Sequence, residues 1–169
     1  MTDDEFLLAF ESCSIARHEW THEAHVRMAW LYLSRRPYSE ALDRIRRGIR
    51  NLNNRIGQPA DTHRAPAQRR LPASNGDPNG YHETITVALT RIIAARIRPG
   101  EKYAAFRERN PDLFDRKLPP LFAHYSPALL WSPEARSRFE EPDLEQLPGD
   151  RSACLARMPG RAVGDRKPI

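Results

Sequence analysis

Three histidines and two glutamates fall within nine consecutive residues, His18 to Val26, of a chain that has six histidines in all. The string from His18 to His22 satisfies H-E-x-x-H, in which two histidines on one helix turn bind zinc and Glu19 acts as general base. Thr21, however, is best placed to cap the start of a helix. If the helix begins there, His18 lies outside it and the paired geometry fails, so we do not favour a zinc-protease site.

A second arrangement joins the pair His22-x-x-His25 to a distant His82-Glu83. Residues three apart on a helix project from one face, so His22 and His25 can converge on one atom. Three imidazoles and a carboxylate suit one divalent metal ion, with zinc or iron favoured. We therefore predict metal ligation by His22, His25 and His82, with Glu83 or Glu23 as fourth ligand or general base. The alternative is that these histidines are helix-entry residues bonded to backbone carbonyls.

The metal hypothesis depends on how the helices are arranged. Apolar residues recur at helical spacing in three long segments, and no run of alternating β-branched residues indicates a strand. In an up-down-up bundle the first and third helices run in the same direction, so helices that begin near Thr21 and Tyr81 bring their histidines to one end. We predict an all-α fold with helices over residues 3–13, 21–35, 39–56, 81–97 and 101–109, followed by short proline-punctuated turns.

One helical domain is expected over residues 1–148. Residues 57–80 are rich in proline and glycine and predict an irregular connection, which is either disordered or a functional loop. Residues 149–169 predict a disordered basic tail. His63 falls in the connection and is expected to face solvent, whereas His124 is a further candidate ligand. The segment from Asp112 to Lys117 reads as a charged, solvated turn.

The net charge of +5 is concentrated in the tail and in five arginines of the second long helix, which are Arg44, Arg46, Arg47, Arg50 and Arg55. This arginine face could contact a polyanion, but no aromatic residues interleave to stack on bases, so nucleic acid is not expected as a partner. Cys13 and Cys154 suggest no disulfide framework. No uninterrupted apolar stretch suits a membrane span, and the acidic start is unlike a signal peptide, so a cytoplasmic location is predicted.

Two motifs carry a family resemblance. Trp20-Thr21-His22-x-x-His25-Val26 and Gly80-Tyr81-His82-Glu83-Thr84-Ile85-Thr86 resemble those of an uncharacterised family of small bacterial helical proteins. Later segments are similar to that family too, including Arg109-Asn110-Pro111 and Ser132-Pro133-Glu134-Ala135-Arg136, so the likeness covers about residues 5 to 148. It implies a helical fold and the histidine pair at 22 and 25, and it implies no activity.

Two hypotheses follow from the sequence. The first is a small metal-dependent enzyme that acts on a small-molecule substrate through His22, His25 and His82. The second is a helical interaction module whose histidines are structural and whose arginine face or basic tail contacts its partner. The sequence leaves the oligomeric state open.

Overall fold

A computed structural model describes residues 1–57 and 80–149. Within these ranges the chain forms helices and no strand. The elements, in chain order, are α1 (Asp3–Glu11), α2 (His22–Arg35), α3 (Tyr38–Gly57), α4 (Glu83–Arg96), α5 (Tyr103–Arg109), a 3-10 helix (Pro111–Phe114), α6 (Pro119–Phe122), α7 (Pro127–Leu130) and α8 (Pro133–Ser137).

Serine or threonine side chains cap four of these helices, because the first backbone N–H groups of a helix lack partners within it. Thr21 accepts a hydrogen bond from the N–H of Ala24 at 3.2 Å and caps α2. Ser126 and Ser132 cap α7 and α8 in the same way, each followed by a proline at the first helical position. Proline suits that position because its missing N–H would be unpaired there anyway.

The core lies where α2, α3 and α4 pack against one another, and α1 packs on α2 and α3. Helix α2 is buried along most of its length, including Trp30, Leu31 and Tyr32. Helix α3 buries one stripe and turns its charged face outward, and the buried members are Ala41, Leu42, Ile45, Ile49 and Leu52. This confirms the predicted all-α fold with three long helices, and it confirms the apolar stripe that identified α3.

The structure confirms the predicted start of one long helix and places the start of another slightly later. Helix α2 begins directly after Thr21, as predicted. Helix α4 begins at Glu83 rather than near Tyr81, because His82 occupies the capping position before it. Most of the predicted connection at 57–80 and nearly all of the predicted tail at 149–169 lie outside the described residues.

Helices α1 and α3 approach closely at Gly48. A side-chain carbon placed on Gly48 would lie 2.2 Å from the ring of Phe10, which is fully buried. Phe10 in turn stacks on Trp20, with ring centroids 5.3 Å apart. Glycine therefore allows an aromatic ring from α1 to lie directly against the backbone of α3.

None of the described helices combines the length and the apolar composition that crossing a bilayer requires.

Candidate functional site

The segment that matched H-E-x-x-H is divided by the start of α2. His22 is the first residue of the helix, whereas His18 is exposed in the turn before it. The side chain of Glu19 accepts a hydrogen bond from the N–H of Ala16 at 3.3 Å. His18 and His22 thus do not share a helix turn, and the zinc-protease geometry is absent from this segment.

His82 is the N-cap of α4, and both of its ring nitrogens are engaged. Nδ1 accepts from the N–H of Ile85 at 3.3 Å, and Nε2 donates to the carbonyl of Leu130 at 2.9 Å. Burial lowers the pKa of His82 to about 4, so the ring is neutral near pH 7. With one nitrogen donating and the other accepting, the neutral ring has no lone pair left for a metal ion.

Glu83, predicted as a ligand or base, is buried and forms ion pairs with two partly exposed arginines between α3 and α4. Its carboxylate pairs with Arg46 and, at 3.2 Å, with Arg50, and it accepts a hydrogen bond from the Tyr81 hydroxyl at 2.7 Å. The guanidinium of Arg50 also lies over the Tyr81 ring, 4.3 Å from its centroid. A carboxylate held by two cations and a phenol acts here as an anchor for α4.

Thr84, in the same motif, connects the start of α4 to residues 138–140. Its hydroxyl donates to the carbonyl of Arg138 at 2.9 Å and accepts from the N–H of Glu140 at 3.0 Å. Gly80, with φ of +76°, adopts the left-handed conformation that glycine favours just before the motif. Residues 80–84 therefore fix the start of α4 against α3 on one side and residues 130–140 on the other.

Glu23, the other predicted base, is on the surface. Its two carboxylate oxygens pair with the guanidinium of Arg107 at 2.9 and 3.1 Å, and its side chain is about half exposed. This pair links α2 to α5. Neither Glu23 nor Glu83 is among the residues that line the pocket described next.

A pocket of about 520 Å³ lies between α2, α3 and α4. Most of its wall is apolar, formed by Val26, Met28, Ala29, Ile45, Ile49, Ile85, Leu89, Ile93 and Leu118. Its polar residues are Arg17, His18, Thr21, His22, His25, Thr86, Thr90 and Arg116, and Trp20 also contributes to the wall. The volume falls within the range of roughly 300–1,000 Å³ that is typical of small-molecule sites.

His25 is held rigidly at this pocket. Its Nδ1 donates to the carbonyl of Thr21 at 2.7 Å, and its ring lies 3.8 Å from that of Trp20, centroid to centroid. The Trp20 indole donates in turn to Asn53 on α3 at 3.2 Å. Burial lowers the pKa of His25 to about 4. The ring is therefore neutral near pH 7, with Nε2 as a hydrogen-bond acceptor.

His22 also lines the pocket, and its Nε2 donates to the carbonyl of Leu113 at 2.8 Å. In the neutral ring this leaves Nδ1 with a lone pair. His22 and His25 are thus brought together at one pocket, and each is oriented by one bond to a backbone carbonyl. His82 is not among the residues that line this pocket.

Two of the three predicted metal ligands, His22 and His25, lie at the same pocket. Among the described residues no group of three or more histidine, cysteine, aspartate or glutamate side chains is placed to hold a metal ion. His124 donates from Nδ1 to the carbonyl of Glu145 at 3.0 Å, and His63 lies outside the described residues. Ligation by His22, His25 and His82 together stays a prediction.

The arginine face of α3 is largely occupied by acidic partners within the chain. Arg44 pairs with Glu40 at 3.1 Å, and Arg46 and Arg50 both pair with Glu83. Cations that are already paired have less free charge to offer a polyanion. The second hypothesis of the sequence analysis therefore gains no support from these three arginines.

Several pocket residues were not singled out from the sequence as candidate ligands or substrate contacts. Arg116 was predicted to lie in a solvated turn, and no role was predicted for Arg17. Leu118 comes from the same short connection and has a left-handed backbone, with φ of 57°. Thr84 and Thr86 were considered from the sequence as possible substrate contacts, and of these Thr86 lines the pocket. Thr90 could have been found as well, because it lies four residues after Thr86 on an otherwise apolar helix and so shares its face.

Comparison with known proteins adds no further identification. No family model matches the chain, and no match is found among curated proteins or solved structures. The likeness drawn in the sequence analysis therefore rests on the sequence motifs alone.

Proposed function

We propose that this protein binds a small molecule in the pocket between α2, α3 and α4, with His25 and His22 as its polar contacts. The observation that carries this proposal is the pocket itself, about 520 Å³ at the junction of the three main helices. A pocket of this size with a mostly apolar wall is typical of a small-molecule site, because a ligand that covers the wall removes apolar surface from water.

The rigid histidine supports the same proposal. A structural histidine usually has both nitrogens satisfied, as His82 does. His25, which lines the pocket, is instead held by the Thr21 carbonyl at Nδ1 and by the Trp20 ring on one face. Its Nε2 therefore keeps a lone pair that can accept a hydrogen bond. Preorganised polar groups within an apolar wall are typical of small-molecule sites.

The test uses the fluorescent probe anilinonaphthalene sulfonate, which joins an apolar body to an anionic group. We expect the folded wild-type protein to bind it with enhanced fluorescence. Ala29→Trp and Leu89→Trp place an indole in the pocket wall and should abolish binding. Ala95→Trp, on the exposed side of α4, is the matched control and should bind like the wild type.

Circular dichroism and cooperative thermal unfolding establish that each variant is folded. Methyl NMR of the wild type gives a readout that needs no variant, since the probe should shift the methyl signals of Ile85, Leu89 and Leu118. Undiminished binding to a folded Ala29→Trp protein, or shifts confined to other methyl groups, would overturn the proposal.

As a second proposal, His22 and His25 bind a divalent metal ion at the same pocket without His82. It is favoured because each ring is oriented by a backbone carbonyl, the usual arrangement for metal-binding histidines. Elemental analysis after purification and titration with zinc or ferrous iron should then show metal that His22→Ala and His25→Ala lose. His82→Asn should retain it. Metal-free wild-type protein that also fails to take up either ion would contradict this proposal.

A further inference from the structure

Two threonines of α4 in the pocket wall, Thr86 and Thr90, offer hydrogen-bond acceptors. The Thr86 hydroxyl donates to the carbonyl of His82 at 2.8 Å, and the Thr90 hydroxyl donates to the carbonyl of Thr86 at 2.6 Å. Each hydroxyl hydrogen is thus already used by the backbone of α4. What these threonines offer the pocket is oxygen lone pairs.

His25 adds a third acceptor of the same kind. Its Nδ1 hydrogen is bound by the Thr21 carbonyl, so Nε2 accepts. The Trp20 indole, which could have been a donor, gives its hydrogen to Asn53. Three side chains from α2 and α4 therefore favour a ligand group that donates a hydrogen bond, such as a hydroxyl or an N–H.

The charged residues of the wall have the opposite preference. Arg17 and Arg116 both line the pocket and are exposed, which indicates that they stand at its solvent side. The described residues that line the pocket include no aspartate or glutamate. Two exposed cations beside a largely apolar wall favour an anionic group that remains near water.

From these placements we infer that the ligand is an amphiphilic acid, with an apolar body, a hydroxyl or N–H donor on that body, and a carboxylate at the mouth. This inference rests on the proposed function, because it assigns a chemical class to the occupant of the same pocket. The apolar wall binds the body, the threonines and His25 bind the donor, and Arg17 with Arg116 binds the acid group.

The inferred class of ligand is tested by measuring how well matched probes displace anilinonaphthalene sulfonate. The probes are built on two different apolar bodies. The first set is 10-hydroxydecanoate, its methyl ether and 1,10-decanediol, and the second is built in the same way on 4-(4-hydroxyphenyl)butanoate. On at least one body the hydroxy acid should bind about five- to tenfold more tightly than its ether, the effect of about one net hydrogen bond. It should also bind more tightly than the uncharged diol, by a factor that falls as salt is added.

Variants separate the two parts of the inference. Thr86→Val and Thr90→Val remove the acceptor oxygen at nearly constant volume and should bring the hydroxyl-to-ether preference toward unity, whereas Thr90→Ser should keep it. Arg17→Gln and Arg116→Gln should reduce the acid-to-diol preference and leave the hydroxyl preference unchanged. Both arginines are exposed, so these two variants test binding without disturbing the core.

The outcomes distinguish this inference from the proposed function. If anilinonaphthalene sulfonate binds in the pocket but the ether equals or exceeds the hydroxy acid on both bodies, or no probe displaces it, the assigned class is wrong and the pocket function stands. If anilinonaphthalene sulfonate does not bind in the pocket at all, the proposed function fails first.

Discussion

His82 and His25 show how the same residue type serves two roles at neighbouring helix starts. Both rings donate one hydrogen to a backbone carbonyl, and burial lowers the pKa of both to about 4. They differ in the second nitrogen, which His82 uses to cap α4 and His25 leaves as an acceptor at the pocket. The difference follows from position, because His82 precedes the first residue of α4 and can accept from the unpaired N–H of Ile85, whereas His25 lies inside α2.

The lowered pKa values predict a pH-dependent stability. Between about pH 6.5 and pH 4 the unfolded chain takes up protons at these histidines and the native protein does not. The free energy of unfolding should therefore be fully retained above pH 6.5 and fall as the pH is lowered toward 4. Each histidine contributes a slope of up to about 1.4 kcal/mol per pH unit.

His82→Asn isolates one of these contributions, because asparagine can still cap α4 but does not titrate. Urea unfolding of the variant, measured at several pH values in this window, should give a flatter dependence than the wild type. An unchanged slope would show that His82 is not buried in its neutral form.

At the scale of helices, the contact of α1 with α3 depends on a missing side chain. Gly48 sits in the middle of α3, where replacement by alanine would ordinarily stabilise the helix by about 1 kcal/mol. Here the added methyl would meet Phe10, and that ring cannot easily move because it is fully buried against Trp20 and Tyr32. Overpacking of this kind typically costs about 1–3 kcal/mol.

We therefore expect Gly48→Ala to lower the free energy of unfolding by up to about 2 kcal/mol, measured by chemical denaturation. Asn51→Ala, at an exposed position one turn further along α3, is the control and should be neutral or slightly stabilising. A stabilised Gly48→Ala protein would mean that α1 can shift away from α3 at little cost.

For the molecule as a whole, the sequence predicted the elements better than their contacts. The three long helices and the Thr21 cap follow from local periodicity and capping chemistry, which act over a few residues. The sequence offered the helix-entry role of His82 as an alternative, but it could not identify the carbonyl that the ring binds, because Leu130 lies 48 residues further along the chain. The ion pairs of Glu83 could not be predicted for the same reason, since its partners Arg46 and Arg50 lie on another helix.

The pocket could not be predicted from the sequence for a related reason. Its wall combines three helices with residues of a short connection, and their volumes and gaps are set only when all of them pack. Arg116 and Leu118 come from a segment that the charge pattern indicates to be solvent-exposed. The histidine pair at 22 and 25 could be identified from spacing alone, because residues three apart on a helix share a face wherever that helix is placed.

The clamp on His25 has a consequence for how any ligand of this pocket would be bound. Trp20 on one face of the ring and the Thr21 carbonyl at Nδ1 restrict its rotamers before a ligand arrives. Ordering a free side chain on binding costs about 0.5–1.5 kcal/mol, and here that loss of conformational entropy occurs during folding instead. The fold thus carries the entropic cost of recognition at this residue, and an incoming molecule meets an acceptor whose direction is already set.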